Sequence, residues 1–371
     1  MSHIASVIYG VEDIRLEPRK TPALAANEAQ VEVRATGICG SDLHYHAHYR
    51  NGAFAVREPM VLGHEASGEV VAVGSAVTGL RPGDRVAIEG QKPCRMCELC
   101  KSGRYNLCAD MQFCGSAKLF PHTDGTLQQK LNHAADFLHK IPDSMSFGEA
   151  ALIEPLSVAM HGVNRSGLRA GQTVTIIGAG AIGLLCGALA KASGASQINI
   201  IDISEYRLKF AETYCANRSL KIPMRGRDGE APVDFAKRLA AEILADPANG
   251  FEPADVVYEC TGVPTSTVLS ISLTAPGGKT TLLGMGHAVQ NVNIGDAALR
   301  EVDIVGVFRY ANTYPTAIRL VANGQVDLKS LITHDYALDA VNDAFKFVRR
   351  GEDGLIKCII TSGPTAVAAS L

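Results

Sequence analysis

Four cysteines crowd into fifteen residues as Cys94-x-x-Cys97-x-x-Cys100-x7-Cys108. Four thiolates close a tetrahedral zinc site and leave no position for a substrate, so a zinc held here is expected to be structural. Two other readings of the run stay open: an iron–sulfur cluster takes similar spacing, and zinc ribbons bind nucleic acid. Lys92, Arg95, Lys101 and Arg104 make the loop locally positive, but no aromatic run or wider basic stripe accompanies them. A second set is spread along the chain: Gly37-Ile-Cys39-Gly-Ser41-Asp-Leu-His44, Gly63-His64-Glu65 and Ile153-Glu154-Pro155. Singly these read as a core cysteine, a surface pair and a helix boundary. Together they offer thiolate, imidazole and carboxylate, three protein ligands that leave one coordination position open for chemistry.

The third feature is Gly178-Ala-Gly180-Ala-Ile182-Gly183, a G-x-G-x-x-G between an expected strand and an expected helix. Its first glycine permits a tight turn, the second lets backbone approach a pyrophosphate, and the third lets helix and strand pack closely. Asp202 ends the next expected strand nineteen residues past Gly183. An acid there accepts from the adenosine ribose and repels a 2′-phosphate, which favours NAD over NADP. Arg207 follows; beside Asp202 it reads as a cation stacked on adenine or solvated rather than as a 2′-phosphate receptor.

These residues need two kinds of scaffold. The first 150 residues carry short β-branched runs punctuated by glycine, such as Val31-Glu-Val-Arg, Gly68-Glu-Val-Val-Ala-Val-Gly and Asp84-Arg-Val-Ala-Ile, which predict a mostly β module. From Thr173 the pattern changes to βαβ units, with strands expected at Val174–Ile177, Gln197–Ile201, Asp255–Glu259, Lys279–Leu283 and Asp303–Val307 and a helix within Phe235–Leu244. The fold class is therefore α/β, with a doubly wound parallel sheet. A tail with a helix near Pro315–Asn323 and a closing strand at Ile356–Thr361 is expected to return to the first domain, and Gly363 to Leu371 reads as a loose end. The division expected is 1–156, 157–306 and 307–371.

The chain has 371 residues, 47% of them hydrophobic, enough for real cores. Lys plus Arg total 35 against 38 for Asp plus Glu, a net charge of −3, so no overall positive field recruits nucleic acid or an anionic membrane surface. The longest charge-free apolar stretch, near Val174–Ala190, is broken by four glycines and falls short of a span of about 20 residues. Ten cysteines are too sparse for a disulfide scaffold, and Met1 to Gly10 lacks the basic start and apolar core of a secretory signal. The expected setting is the cytoplasm, where thiols stay reduced.

Gly-Ile-Cys-Gly-Ser-Asp-Leu-His at 37–44, Gly-His-Glu at 63–65, the four-cysteine lobe, Ile-Glu-Pro-Leu-Ser-Val at 153–158 and the glycine turn appear in the order found in zinc-dependent medium-chain dehydrogenases. The resemblance spans essentially the whole chain, and Glu154-Pro-Leu-Ser and Val307-Phe-Arg309-Tyr310 resemble motifs of the sorbitol, or polyol, dehydrogenase branch. It implies a GroES-like catalytic domain at 1–156 and an NAD-binding Rossmann domain at 157–306. It also implies one catalytic and one structural zinc, NAD, a homo-oligomer (dimer or tetramer), and a hydride taken from a secondary hydroxyl of a polyol. Carried over by position, Cys39, His64 and Glu65 would hold the catalytic zinc, with Glu154 beside it as an exchanging ligand or acting on a bound water. Ser41 and His44 match positions that pass the alcohol proton to solvent. Tyr45, Phe113, Arg309 and Tyr310 match the substrate pocket, and Arg309 also the cofactor site. The stretch Cys114-Gly-Ser116-Ala-Lys118-Leu-Phe120-Pro-His122-Thr-Asp-Gly is longer and more basic than in many sorbitol dehydrogenases and resembles the loop of L-idonate 5-dehydrogenases. Lys118 and His122 would then face the carboxylate of a sugar acid. Two rivals from other classes are a catalytically silent nucleotide-binding protein and a zinc-ribbon nucleic-acid binder.

Overall fold

The computed structural model describes residues 2–352 and 354–363, so most of the expected loose end lies outside the described residues. The chain divides into two compact units, Met1–Glu154 with Ala311–Leu371, and Pro155–Tyr310.

The first unit is built on a seven-stranded sheet. Its order is Leu138–Lys140, Arg85–Glu89, Glu65–Val73, Glu28–Gly37, Lys357–Thr361 and Ile332–Ala337, with Lys130–Ala134 also pairing with Glu28–Gly37. Along Glu28–Gly37, Ala29, Val31, Val33 and Ala35 are buried while Gln30, Glu32 and Arg34 are half-exposed, the period of two that puts one face on a core. The alternation stops at Thr36 and Gly37, both buried, where the strand runs inward toward Cys39. The closing strand pairs antiparallel with that inner end, Ile359 opposite Gly37, and Glu65 stands opposite Gly37 on the other side. Three stretches far apart in sequence therefore meet at one place.

The second unit is a parallel six-stranded sheet ordered Arg218–Lys221, Gln197–Asp202, Thr173–Ile177, Ala254–Glu259, Thr274–Leu282 and Asp303–Gly306. Numbered along the chain, that order is 3-2-1-4-5-6, which opens a crevice beyond the carboxyl ends of the first and fourth strands. Val174, Ile176, Ile198, Ile200, Ile201 and Val257 are buried to 2% or less, as expected for strands covered by helices on both faces. Two details differ from expectation. Arg218–Lys221 was not anticipated, because a four-residue edge strand with a cation at each end carries no apolar pattern. Thr274–Leu282 starts five residues before Lys279, with a shift in register opposite Ala254–Val256. Among the described residues no helix is long and apolar enough to cross a membrane.

The glycine turn joins the first strand to the helix Ala181–Ala192. Gly178 adopts φ +101°, a left-handed conformation costly for other residues. A methyl on Gly183 would lie 1.8 Å from the Gly178 carbonyl oxygen, whereas one on Gly180 would meet nothing within 4 Å. Gly183→Ala is therefore expected to destabilise the protein by about 3 kcal/mol or more, while Gly180→Ala melts like the parent and weakens only dinucleotide binding. Thermal melts and a nucleotide titration on the two variants check this, and equal melting temperatures would refute the packing argument.

Candidate active site

Cys39 begins the helix Gly40–His48, directly after the inner end of Glu28–Gly37. Asp42, three residues on and fully buried, accepts from the Cys39 N–H at 3.0 Å and the Gly63 N–H at 3.1 Å. It also stands 3.7 Å from His64 Nδ1. One carboxylate thus ties the cysteine segment to the His64-Glu65 segment. Cys39 Sγ, a His64 nitrogen and a Glu65 oxygen all lie within 4.8 Å of one another. Glu154 stands outside that group but is buried beside it. Burial, with the Glu65 and Cys39 charges adding, pushes its carboxyl up to about 8, against the opposing pull of His64. Ser41 Oγ lies 3.5 Å from His64 Nε2. His44 is exposed on the same helix, and partial burial with the neighbouring His48 lowers its pKa.

The donor set suits a zinc ion. Burial, then the Glu65 charge, pushes the Cys39 thiol up to about 12, so a cation is needed to make it a thiolate. Glu65 is 1% exposed, and one of its oxygens lies within 4.8 Å of Cys39 Sγ and a His64 nitrogen. Held by these three donors alone, a zinc ion would keep a fourth position open.

In the cysteine lobe all four sulfurs lie within 4.8 Å of one another. Cys97 Sγ is 3.4 Å from Cys100 Sγ and Cys94 Sγ is 3.9 Å from it. The Cys97 N–H points at Cys94 Sγ and the Cys94 N–H at Cys108 Sγ, donors that favour thiolates. They match a closed metal site better than a set of free thiols.

In the second unit Gly178, Gly180, Asp202 and Arg207 line one cavity of about 440 Å³ with Cys260, Thr261 and Ser266. Asp202 Oδ2 accepts from the Ala179 N–H at 2.6 Å and Oδ1 from the Ser204 N–H at 2.8 Å, so the acid also fastens the glycine turn. Gly183 is buried beneath the turn, and Ile182 is half-buried at the helix start.

The expected pocket residues separate. Phe113 packs its ring on His64, centroids 5.2 Å apart. Tyr45 is 2% exposed and its hydroxyl accepts from the Ala117 N–H at 3.1 Å, which ties it to the basic loop. Lys118 is half-buried in that loop. His122 departs from expectation: its Nε2 accepts from the Arg57 N–H and its Nδ1 donates to the Leu119 carbonyl, both at 2.8 Å. Both ring nitrogens are committed to fastening the loop, so neither is left for a carboxylate. Arg309 and Tyr310 belong to the second unit. Arg309 has φ +52° and lays its guanidinium over Phe308 at 5.0 Å, a strained backbone of the kind that persists where a side chain must be aimed.

Two residues escaped the sequence reading. Asp42 was legible as an acid three residues after a helix start. Lys357, 6% exposed, donates to Glu65 Oε1 at 2.7 Å. Its signal was a lone cation in the apolar run Leu355-Ile-Lys-Cys-Ile-Ile. Burial opposes its charge, yet Glu65, Cys39 and Glu154 outweigh that and raise its pKa.

Residues 25–143 match the alcohol dehydrogenase GroES-like domain and residues 181–323 the zinc-binding dehydrogenase domain. The chain is 41% identical to sorbitol dehydrogenase of Gallus gallus over 98% of its own length and 97% of the relative's. Against sorbitol dehydrogenase of Bos taurus it is 43% identical over 94% of each chain. The solved structure of L-idonate 5-dehydrogenase from Escherichia coli superposes with a TM-score of 0.86 at 28% identity, covering 97% of this chain and 98% of that one.

Proposed function

Because the chain belongs to the zinc-binding medium-chain dehydrogenases, we propose that it oxidises a secondary hydroxyl of a polyol of the sorbitol or xylitol kind, passing the hydride to NAD. The observation that carries this reading is the triad of half-buried Cys39 with buried His64 and Glu65, and buried Glu154 beside it. Zinc held by that triad supplies a Lewis acid that lowers the pKa of an alcohol by several units. The other steps belong to side chains. Asp42 fixes the two ligand-bearing segments against each other. Burial raises the Glu154 carboxyl above the usual carboxylate range, which suits it to exchange a proton with a hydroxyl or water. Ser41 and His44 pass the alcohol proton outward, His44 being the exposed end. The turn Gly178–Gly183 receives the pyrophosphate at the start of the helix Ala181–Ala192, and Asp202 receives the ribose. Arg309 and Tyr310 orient a second hydroxyl. The same reading includes the cytoplasm, which keeps the thiolates reduced, and a dimer or tetramer. Supporting self-association, Asp303–Gly306 ends the parallel sheet beside exposed Leu299 and Ile304.

Lys118 on the basic loop favours a second reading, oxidation of a sugar acid, and the likeness to L-idonate 5-dehydrogenase supports it. An NAD-reduction screen over polyols, aldonates and simple secondary alcohols separates the two. Arg309→Ala is expected to lower kcat/KM for a polyol roughly 10- to 150-fold, the value of a charge-assisted hydrogen bond of about 1.5–3 kcal/mol, and to spare a monohydroxy alcohol. Lys118→Ala should hurt an aldonate and spare sorbitol. Better turnover of simple alcohols than of any polyol or sugar acid would defeat both readings.

A further inference from the structure

Lys357 opens the strand Lys357–Thr361 and reaches into the metal centre from the opposite end of the chain. Its Nζ donates to Glu65 Oε1 at 2.7 Å, and Oε2 lies 2.5 Å from the same nitrogen. A buried ion pair is no cheap way to fill a core, since an apolar side chain of similar volume serves stability as well or better. The carboxylate it holds is also the one that presents an oxygen within 4.8 Å of Cys39 Sγ and a His64 nitrogen. With a zinc ion bound, one carboxylate would therefore face two cationic partners. The space for this comes from Gly37, where a methyl would lie 2.2 Å from Glu65 Oε2 and 3.1 Å from Lys357 Cε.

Resting on the assignment of Cys39, His64 and Glu65 as metal ligands, we propose that Lys357 is a positioning residue that makes Glu65 an exchangeable ligand. The ammonium and the ion compete for the same carboxylate. Glu65 can leave the ion and rejoin it without becoming an unpaired buried charge, because Lys357 receives it each time. The fold thus keeps the coordination number adjustable with a cation paired to one ligand.

The test reads zinc release from the holoenzyme to a chromogenic chelator, with Cys39→Ala identifying the phase that belongs to this centre. Lys357→Met keeps the length of the stem and removes the charge, and should slow that phase at least tenfold, because Glu65 loses its alternative partner. Lys357→Arg should quicken it at least tenfold, because a guanidinium fork donates a separate N–H to each oxygen, where Lys357 reaches both from one nitrogen. Both effects should vanish in a Glu65→Gln background. An unchanged rate in either variant overturns the proposal. So does faster release from both alike, since that marks a damaged pocket. Should Lys357→Met fail to fold, the arginine variant decides alone. If Cys39→Ala removes no zinc at all, the ligand assignment fails and the proposal falls with it, an outcome distinct from zinc that is present but indifferent to Lys357.

Discussion

Cys39→Ala is expected to cut kcat/KM at least about a thousandfold in a protein that stays folded, and Cys100→Ser to do nearly the reverse. Lewis-acid stabilisation of an alkoxide is worth several kcal/mol, and each 1.4 kcal/mol or so is tenfold in rate. Removing the Cys39 sulfur leaves in place the bonds from its own N–H and the Gly63 N–H to Asp42, which hold the local backbone. Cys100, by contrast, lies in a stretch of the lobe that buries no side chain of its own. Its helix Glu98–Lys101 has four residues and buries none of them, and Met96 is 76% exposed. A closed cysteine site contributes directly to folding under such conditions. Metal analysis with thermal melts should find two zinc ions in the parent and one in each variant, with the melting temperature falling only for Cys100→Ser. A single zinc that Cys100→Ser leaves bound and active would remove the structural site.

Asp202→Ala is expected to lower kcat/KM for NAD roughly 10- to 150-fold, the value of a charge-assisted hydrogen bond, and to relax discrimination against NADP. Part of that loss comes from the turn, because the same carboxylate accepts from Ala179 and Ser204. Asp202→Asn separates the contributions: its amide can keep an acceptor for the turn, but it no longer repels a 2′-phosphate. Parallel kinetics with both nucleotides check this. A parent enzyme that prefers NADP would sink the assignment and shift attention to Arg207, which lines the same cavity.

The parts of this architecture legible in the sequence are those whose signal is local. The glycine turn, the four-cysteine run and the apolar strands of the parallel sheet each declare themselves within twenty residues or fewer. Cys39, His64 and Glu65 were legible only as a set, through resemblance, since no spacing rule links ligands so far apart. Lys357 was legible as an oddity in an apolar run but not as a partner of Glu65, because the pair is separated by 292 residues and only strand pairing brings it together. His122 failed for the opposite reason. Its composition suggested a ligand contact, while the hydrogen bonds that occupy it come from backbone groups, which no side-chain pattern reveals.

The pairing of Lys357–Thr361 with the inner end of Glu28–Gly37 also sets an order of events during biosynthesis. A ribosome adding about 5–20 residues per second needs roughly 15–60 s to travel the 292 residues from Glu65 to Lys357. Throughout that interval the edge at Ala35–Gly37 lacks its neighbour and Glu65 lacks its counter-ion, and every strand of the parallel sheet is made before it ends. The nucleotide-binding half can mature first. The catalytic half is finished only once Lys357–Thr361 has been made, and until then its sheet presents an open edge that invites wrong pairing.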